Sequence, residues 1–221
     1  MAQIGPSIED VEKSLNFLIE VERKDKRANV PLLESVSEID YQVAIKKTDY
    51  WRFIQSADQH YFMARVLDLH NIFEYSRFCG YQCIENYLKA YLKYKGVIPP
   101  KTHKLSTNLL VKCRDITPSD NFIHSEFILI IIKLYEPFYE LARYPVQNTR
   151  PDQGHYTGSS EDIFTLDYFV LKMREILSVP ENTWDIVRNG HVNLHSCHEF
   201  YPEFYNVFFF RNINFIGRKI Y

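Results

Sequence analysis

Two groups of side chains in this chain carry functional groups of the types that do chemistry. The first is a lysine series, Lys89, Lys93, Lys95, Lys101 and Lys104, with His103 among them and Tyr87, Tyr91 and Tyr94 interleaved. Ammonium groups neutralise phosphates and aromatic rings stack on bases, so the pattern suits a nucleotide or an RNA strand. Lys89, Lys93, His103 and Lys104 are the candidate contacts, with Tyr144 farther along the chain. Lysines crowded at a helix C-terminus also complement the helix dipole in water, which is the plainer reading of the same residues. The second group is His191, His195, Cys197 and His198, the densest set of potential metal ligands. Imidazole and thiolate can hold zinc, but on a regular helix His191 and His195 would share a face while Cys197 and His198 would not converge with them. The spacing matches no closed finger. No metal or other cofactor is therefore expected, and the four residues stand only as an alternative metal site. Cys79 and Cys83 fall on an apolar stripe, where a thiol stays protonated and inert. No serine sits in a nucleophile-elbow context. Arg143 and Tyr144 follow a long apolar segment. Their ordinary roles there are a cation completing the helix dipole and a packing ring with its hydroxyl tied to backbone.

Helices must position these groups. In 221 residues there are only 7 Gly against 16 Phe and 16 Tyr, which disfavours a turn-rich β-barrel and any glycine-loop nucleotide site. Hydrophobic residues make up 46% and charged ones 24%, an ordinary globular composition. The net charge of −2 announces neither a nucleic acid nor an anionic membrane, so any such site is a local patch. The N-terminus carries no basic segment followed by an apolar one, and no apolar run approaches the roughly 20 residues of a membrane span. Cysteines without framework spacing fit a reducing compartment, so a cytoplasmic protein with no membrane partner is expected.

Ser7 and Asp10 resemble a capping box before Ile8, Val11, Leu15, Leu18 and Ile19, which predicts a helix to about Lys24. Residues 1–40 read as an N-terminal helix and linker. From Asp49 the series Trp51, Ile54, Ala57, Tyr61, Ala64 and Leu67 predicts a second helix ending near His70 and Asn71. Another follows with Phe73, Phe78, Tyr81, Ile84, Leu88 and Leu92 as its buried stripe, stopped by Gly96, Pro99 and Pro100. Thr102 is placed to cap a shorter helix through Leu105, Leu109, Leu110 and Cys113. Residues 122–141 are apolar all round and suit the central helix of a bundle, kinked at Pro137. A last helix runs from Glu161 to about Leu177, capped by Ser159 or Ser160. The body thus spans 41–178, and 179–221 form an aromatic-rich appendage.

Within the body, Trp51 and Ala57, then Gln82, Glu85, Lys89 and Ala90, then His103 and Leu105, and finally Arg143, Tyr144 and Pro145 occur in an order that resembles the HEPN domain family, in its Arg-Tyr-Pro variety. The resemblance covers about residues 48–178. It implies an all-α fold, an antiparallel four- to five-helix up-and-down bundle, with N- and C-terminal extensions here. It also implies a homodimer with an RNA- or nucleotide-directed role. Many members are metal-independent ribonucleases, some toxin-like, whose site is an arginine, four to six spacers and a histidine. Arg150 and His155 meet that spacing, across a loop containing Pro151 and Gly154. In such a reaction the ribose 2′-OH attacks the adjacent phosphate. An imidazole moves the protons and a guanidinium, from Arg150 or Arg143, stabilises the charge on phosphorus. The alternative implied by the same family is a non-catalytic binding module whose partner is a small nucleotidyltransferase.

Overall fold

The computed structural model describes Lys46, residues 48–119, 121–141 and 162–180, Trp184 and residues 212–215. The chain divides into Met1–Tyr41 and Gln42–Tyr221, and every described residue belongs to the second part. The helix expected before Lys24 and most of the 179–221 appendage lie outside the described residues.

Helix α1, Tyr50–Leu69, buries Ile54, Ala57, Tyr61 and Ala64, the expected stripe at helical spacing. It ends at His70, and Asn71 takes a left-handed conformation (φ 59°), which asparagine tolerates better than most residues. Helix α2, Phe73–Tyr94, follows at once and packs back along α1. Gly96 (φ 77°) ends it, while Val97 N–H returns to the Leu92 carbonyl at 2.8 Å. A π-helical turn, Leu105–Leu109, runs into α3, Leu110–Asp115. Thr102 does not cap this helix as expected. Its Oγ1 accepts from Lys104 N–H at 3.1 Å, one step upstream, and the first helical amides find another acceptor, described below.

The segment 122–141 corrects the sequence expectation. It is a 3₁₀ turn (Phe122–His124), α4 (Glu126–Tyr135) and α5 (Phe138–Leu141), broken at Glu136 and Pro137. Proline cannot donate to the ladder and its ring crowds the preceding turn, so two short helices form where one kinked helix was expected. Nor is the segment central. Ile128, Ile131, Ile132 and Tyr135 are buried while Phe127 and Ile130 face outward. The central element is α2, which packs against every other described helix.

Helix α6, Asp162–Ile176, closes the bundle as expected, and the serines proposed to cap it lie outside the described residues. Buried ion pairs hold it to the α1–α2 pair. Arg77 reaches Asp162 at 2.9 Å, Arg65 reaches Asp167 at 2.6 Å, and Arg174 reaches Asp58 at 2.9 Å. Charges this buried persist only when paired. Burial pushes the Asp167 carboxyl up, against the opposing pull of Arg65 and the Tyr61 hydroxyl. A short 3₁₀ turn, Ile213–Phe215, adds to this network. Asn212 Nδ2 donates to the Tyr61 hydroxyl at 2.7 Å, and Asn214 Nδ2 donates to the Asp167 carbonyl at 3.0 Å. The fold is all helical across the described residues.

Candidate functional site

The Glu85 side chain joins the chemistry-bearing groups that the structure brings together. Tyr81, Glu85 and Lys89 recur every four residues and share one face of α2. After Gly96 the chain doubles back, and His103 arrives over that face. Lys89 Nζ donates to Glu85 Oε1 at 2.6 Å, and His103 Nδ1 lies 3.0 Å from Glu85 Oε2. A carboxylate paired with an ammonium can only accept, so Nδ1 carries the imidazole proton and donates it. Nε2 is left as the atom that can take up or give a proton. The carboxylate is buried, whereas the imidazole is 50% exposed.

Three further contacts hold the ring in place. The Tyr81 hydroxyl donates to the His103 carbonyl. Tyr139 of α5 stacks on the imidazole with centroids 4.9 Å apart and planes at 19°, and lies 5.0 Å from the Tyr81 ring. Glu136, at the break before α5, accepts from Leu105 N–H (2.9 Å), Ser106 N–H (3.1 Å) and the Ser106 hydroxyl (2.6 Å). It therefore supplies the acceptor that Thr102 does not, and it fixes the chain directly after His103. Burial, then the nearby Glu85 and Tyr139, push the Tyr81 phenol far up, so Tyr81 serves as a donor and not as a base.

The other sequence candidates separate. Lys104 is exposed beside His103. Lys93 Nζ donates to the Lys46 carbonyl at 3.3 Å, away from the carboxylate that organises the site. Lys89 is 8% exposed and committed to Glu85, so its ammonium neutralises that carboxylate and does not reach solvent as the surface series implied. Tyr87 and Tyr91 are fully buried and cannot stack on a base, while the Tyr94 ring packs edge-on against Tyr50. Arg143, Tyr144, Arg150 and His155 lie outside the described residues, as do His191, His195, Cys197 and His198. Among the described residues no cluster of ligands could hold a metal, and no helix is long and apolar enough to cross a membrane. Burial pushes the Cys79 thiol up to about 11 and Cys113 to about 12, which agrees with inert cysteines.

The residues missed in the sequence are Tyr81, Glu136 and Tyr139 as parts of one site. One signal was available. Glu85 and Lys89 stand four apart on α2, a spacing that sets them against each other on one face.

No curated protein and no solved structure matches the chain. Residues 50–177, more than half of it, match the HEPN domain. The match begins at the first residue of α1 and ends one residue past α6, so it covers the helices that build the site. The chain belongs to the HEPN domain family.

Proposed function

We propose that this HEPN protein acts on RNA or a nucleotide as a homodimer, with His103 as the group that meets phosphate. The observation that carries the reading is the imidazole fixed through Nδ1 to a buried carboxylate, half exposed, with Lys104 exposed next to it. An imidazole held this way presents Nε2 in one orientation, as a donor to a phosphate oxygen or as an acceptor of a hydroxyl proton. Arg150 and His155, with Arg143 as a further cation, are the residues we propose for cleavage by 2′-OH attack with loss of the 5′-oxygen, and Tyr144 is proposed to contact the RNA or nucleotide.

A second reading, binding without cleavage alongside a small nucleotidyltransferase, has its own support. The Glu85–Lys89 pair is internally neutral, so the described cluster offers one proton-transferring group with no uncompensated cation fixed by it. Phosphoryl chemistry needs charge stabilisation as well as proton transfer.

Single-stranded RNA incubated with the protein in EDTA tests the reading. Cleavage to 2′,3′-cyclic phosphate ends that is lost in Arg150→Ala/His155→Ala would establish the nuclease. Retained binding without cleavage, weakened about tenfold in His103→Gln, would establish the binding module. RNA and mononucleotides bound equally well by wild type and His103→Gln would overturn the role of His103.

A further inference from the structure

Phe127 and Ile130 on α4 are 62% and 55% exposed, and Phe164 on α6 is 40% exposed. Isolated exposed apolar residues are ordinary, but these adjoin. Phe127 packs edge-on to Tyr168 at 6.2 Å, and Tyr168 lies one turn along α6 from Phe164. The arrangement along α4 is more specific than a patch. At about 100° per residue, Ile130 occupies the middle of the outward face, Phe127 and the half-buried Leu134, which also packs against the core, line one edge, and Glu126 and Lys133 line the other. Glu126 and Lys133 are both exposed and neither pairs with a described residue.

We propose that this face receives a second copy of the chain, with α4 antiparallel to its counterpart about a twofold axis through Ile130. An axis perpendicular to the helix reverses its direction and keeps each edge against itself. Glu126 then meets the partner subunit's Lys133, Phe127 meets the partner subunit's Leu134, and the two Ile130 side chains meet at the centre. A parallel twofold would set the charged edge against the apolar one. The pattern is self-complementary only in the antiparallel sense, and that selects a second copy over an unrelated occupant. The three exposed side chains offer roughly 300 Å² of apolar surface per copy, a fitting centre for an interface of about 800 Å² per partner, with the charged pairs at its rim.

This inference rests on the self-association proposed above and is independent of the ligand at His103. Sedimentation of the full chain tests it. Wild type at micromolar concentration should give about twice 26.4 kDa. Ile130→Glu should give a monomer with an unchanged circular dichroism spectrum, since the site is exposed. Glu126→Lys should raise the dimer dissociation constant about tenfold or more, and Glu126→Lys/Lys133→Glu should return it to within about threefold of wild type. A monomeric wild type would overturn both the dimer and this face. A dimer indifferent to Ile130→Glu, or a charge swap that fails to rescue, would overturn the face alone.

Discussion

Replacing Arg174 with methionine removes the cation that closes α6 onto α1. Arg174 and Asp58 are 6% and 1% exposed, and Arg174 Nη1 reaches the two Asp58 oxygens at 3.0 and 2.9 Å. Nη2 also donates to the Pro180 carbonyl at 3.3 Å, and the guanidinium lies 3.7 Å from the Trp184 ring centroid. Methionine keeps much of the stem and takes the guanidinium away from a buried Asp58 that also accepts from the Tyr87 hydroxyl. Breaking a buried pair from one side costs about 3–5 kcal/mol, because the surviving charge loses its ion-pair partner. For a chain of this size that lowers Tm by roughly 6–20 °C. The pH dependence identifies the cause. Without the guanidinium, burial raises the folded-state pKa of Asp58 above its unfolded value near ~3.9. A raised carboxyl penalises the fold above its folded pKa and is relieved as pH falls through it. The gap between variant and wild type should therefore narrow as the pH falls from 7. Adding Asp58→Asn to Arg174→Met should recover stability at pH 7, since the amide keeps an acceptor for Tyr87 and carries no charge. Urea and thermal melts followed by circular dichroism read both effects. A single variant within about 1 kcal/mol of wild type from pH 5 to pH 8 would refute the reasoning. So would a double variant less stable than the single one.

Gly80→Ala should destabilise by roughly 1–2 kcal/mol although alanine is the better helix former, because its Cβ would enter the Tyr135 ring, which is pinned by its hydroxyl bond to the Asp162 carbonyl at 2.8 Å. A more stable variant in urea titration would show that the ring gives way. Iodoacetamide at pH 8 should leave Cys79 and Cys113 unmodified in the native protein, since a thiol pushed up to about 11, as Cys79 is, holds on the order of 0.1% thiolate there. Peptide mass spectrometry reads each cysteine separately, and rapid native labelling of Cys79 would contradict its burial.

The long helices were legible because their patterns repeat over several turns. Ile54, Ala57, Tyr61 and Ala64 in α1, and Ile163, Leu166, Phe169, Val170 and Met173 in α6, leave no other way to bury one face. The segment 122–141 was misread for the opposite reason. Apolar residues all round do not say which face is covered, so Phe127 and Ile130 counted as core in the sequence although they are exposed in the fold. A related ambiguity hid how far α2 is enclosed. Its lysines and tyrosines look like a solvated end, yet Tyr87, Tyr91 and Lys89 are buried because other helices surround it.

That enclosure also explains why the site was only half visible. Glu85 and Lys89 are local, and their spacing alone pairs them. Glu136 and Tyr139 come from beyond α3, and they join His103 because Pro137 breaks the helix there and turns α5 onto α2. The proline that seemed to mark a kink thus separates the residue that caps the His103 loop from the residue that stacks on its ring. Three residues of helix advance about 4.5 Å and turn about 300°, which leaves the two side chains only about 60° apart on one face. Glu136 keeps a helical conformation and the Tyr139 N–H lies 3.4 Å from its carbonyl, so from one face Glu136 holds the amides after His103 while Tyr139 stacks on the imidazole.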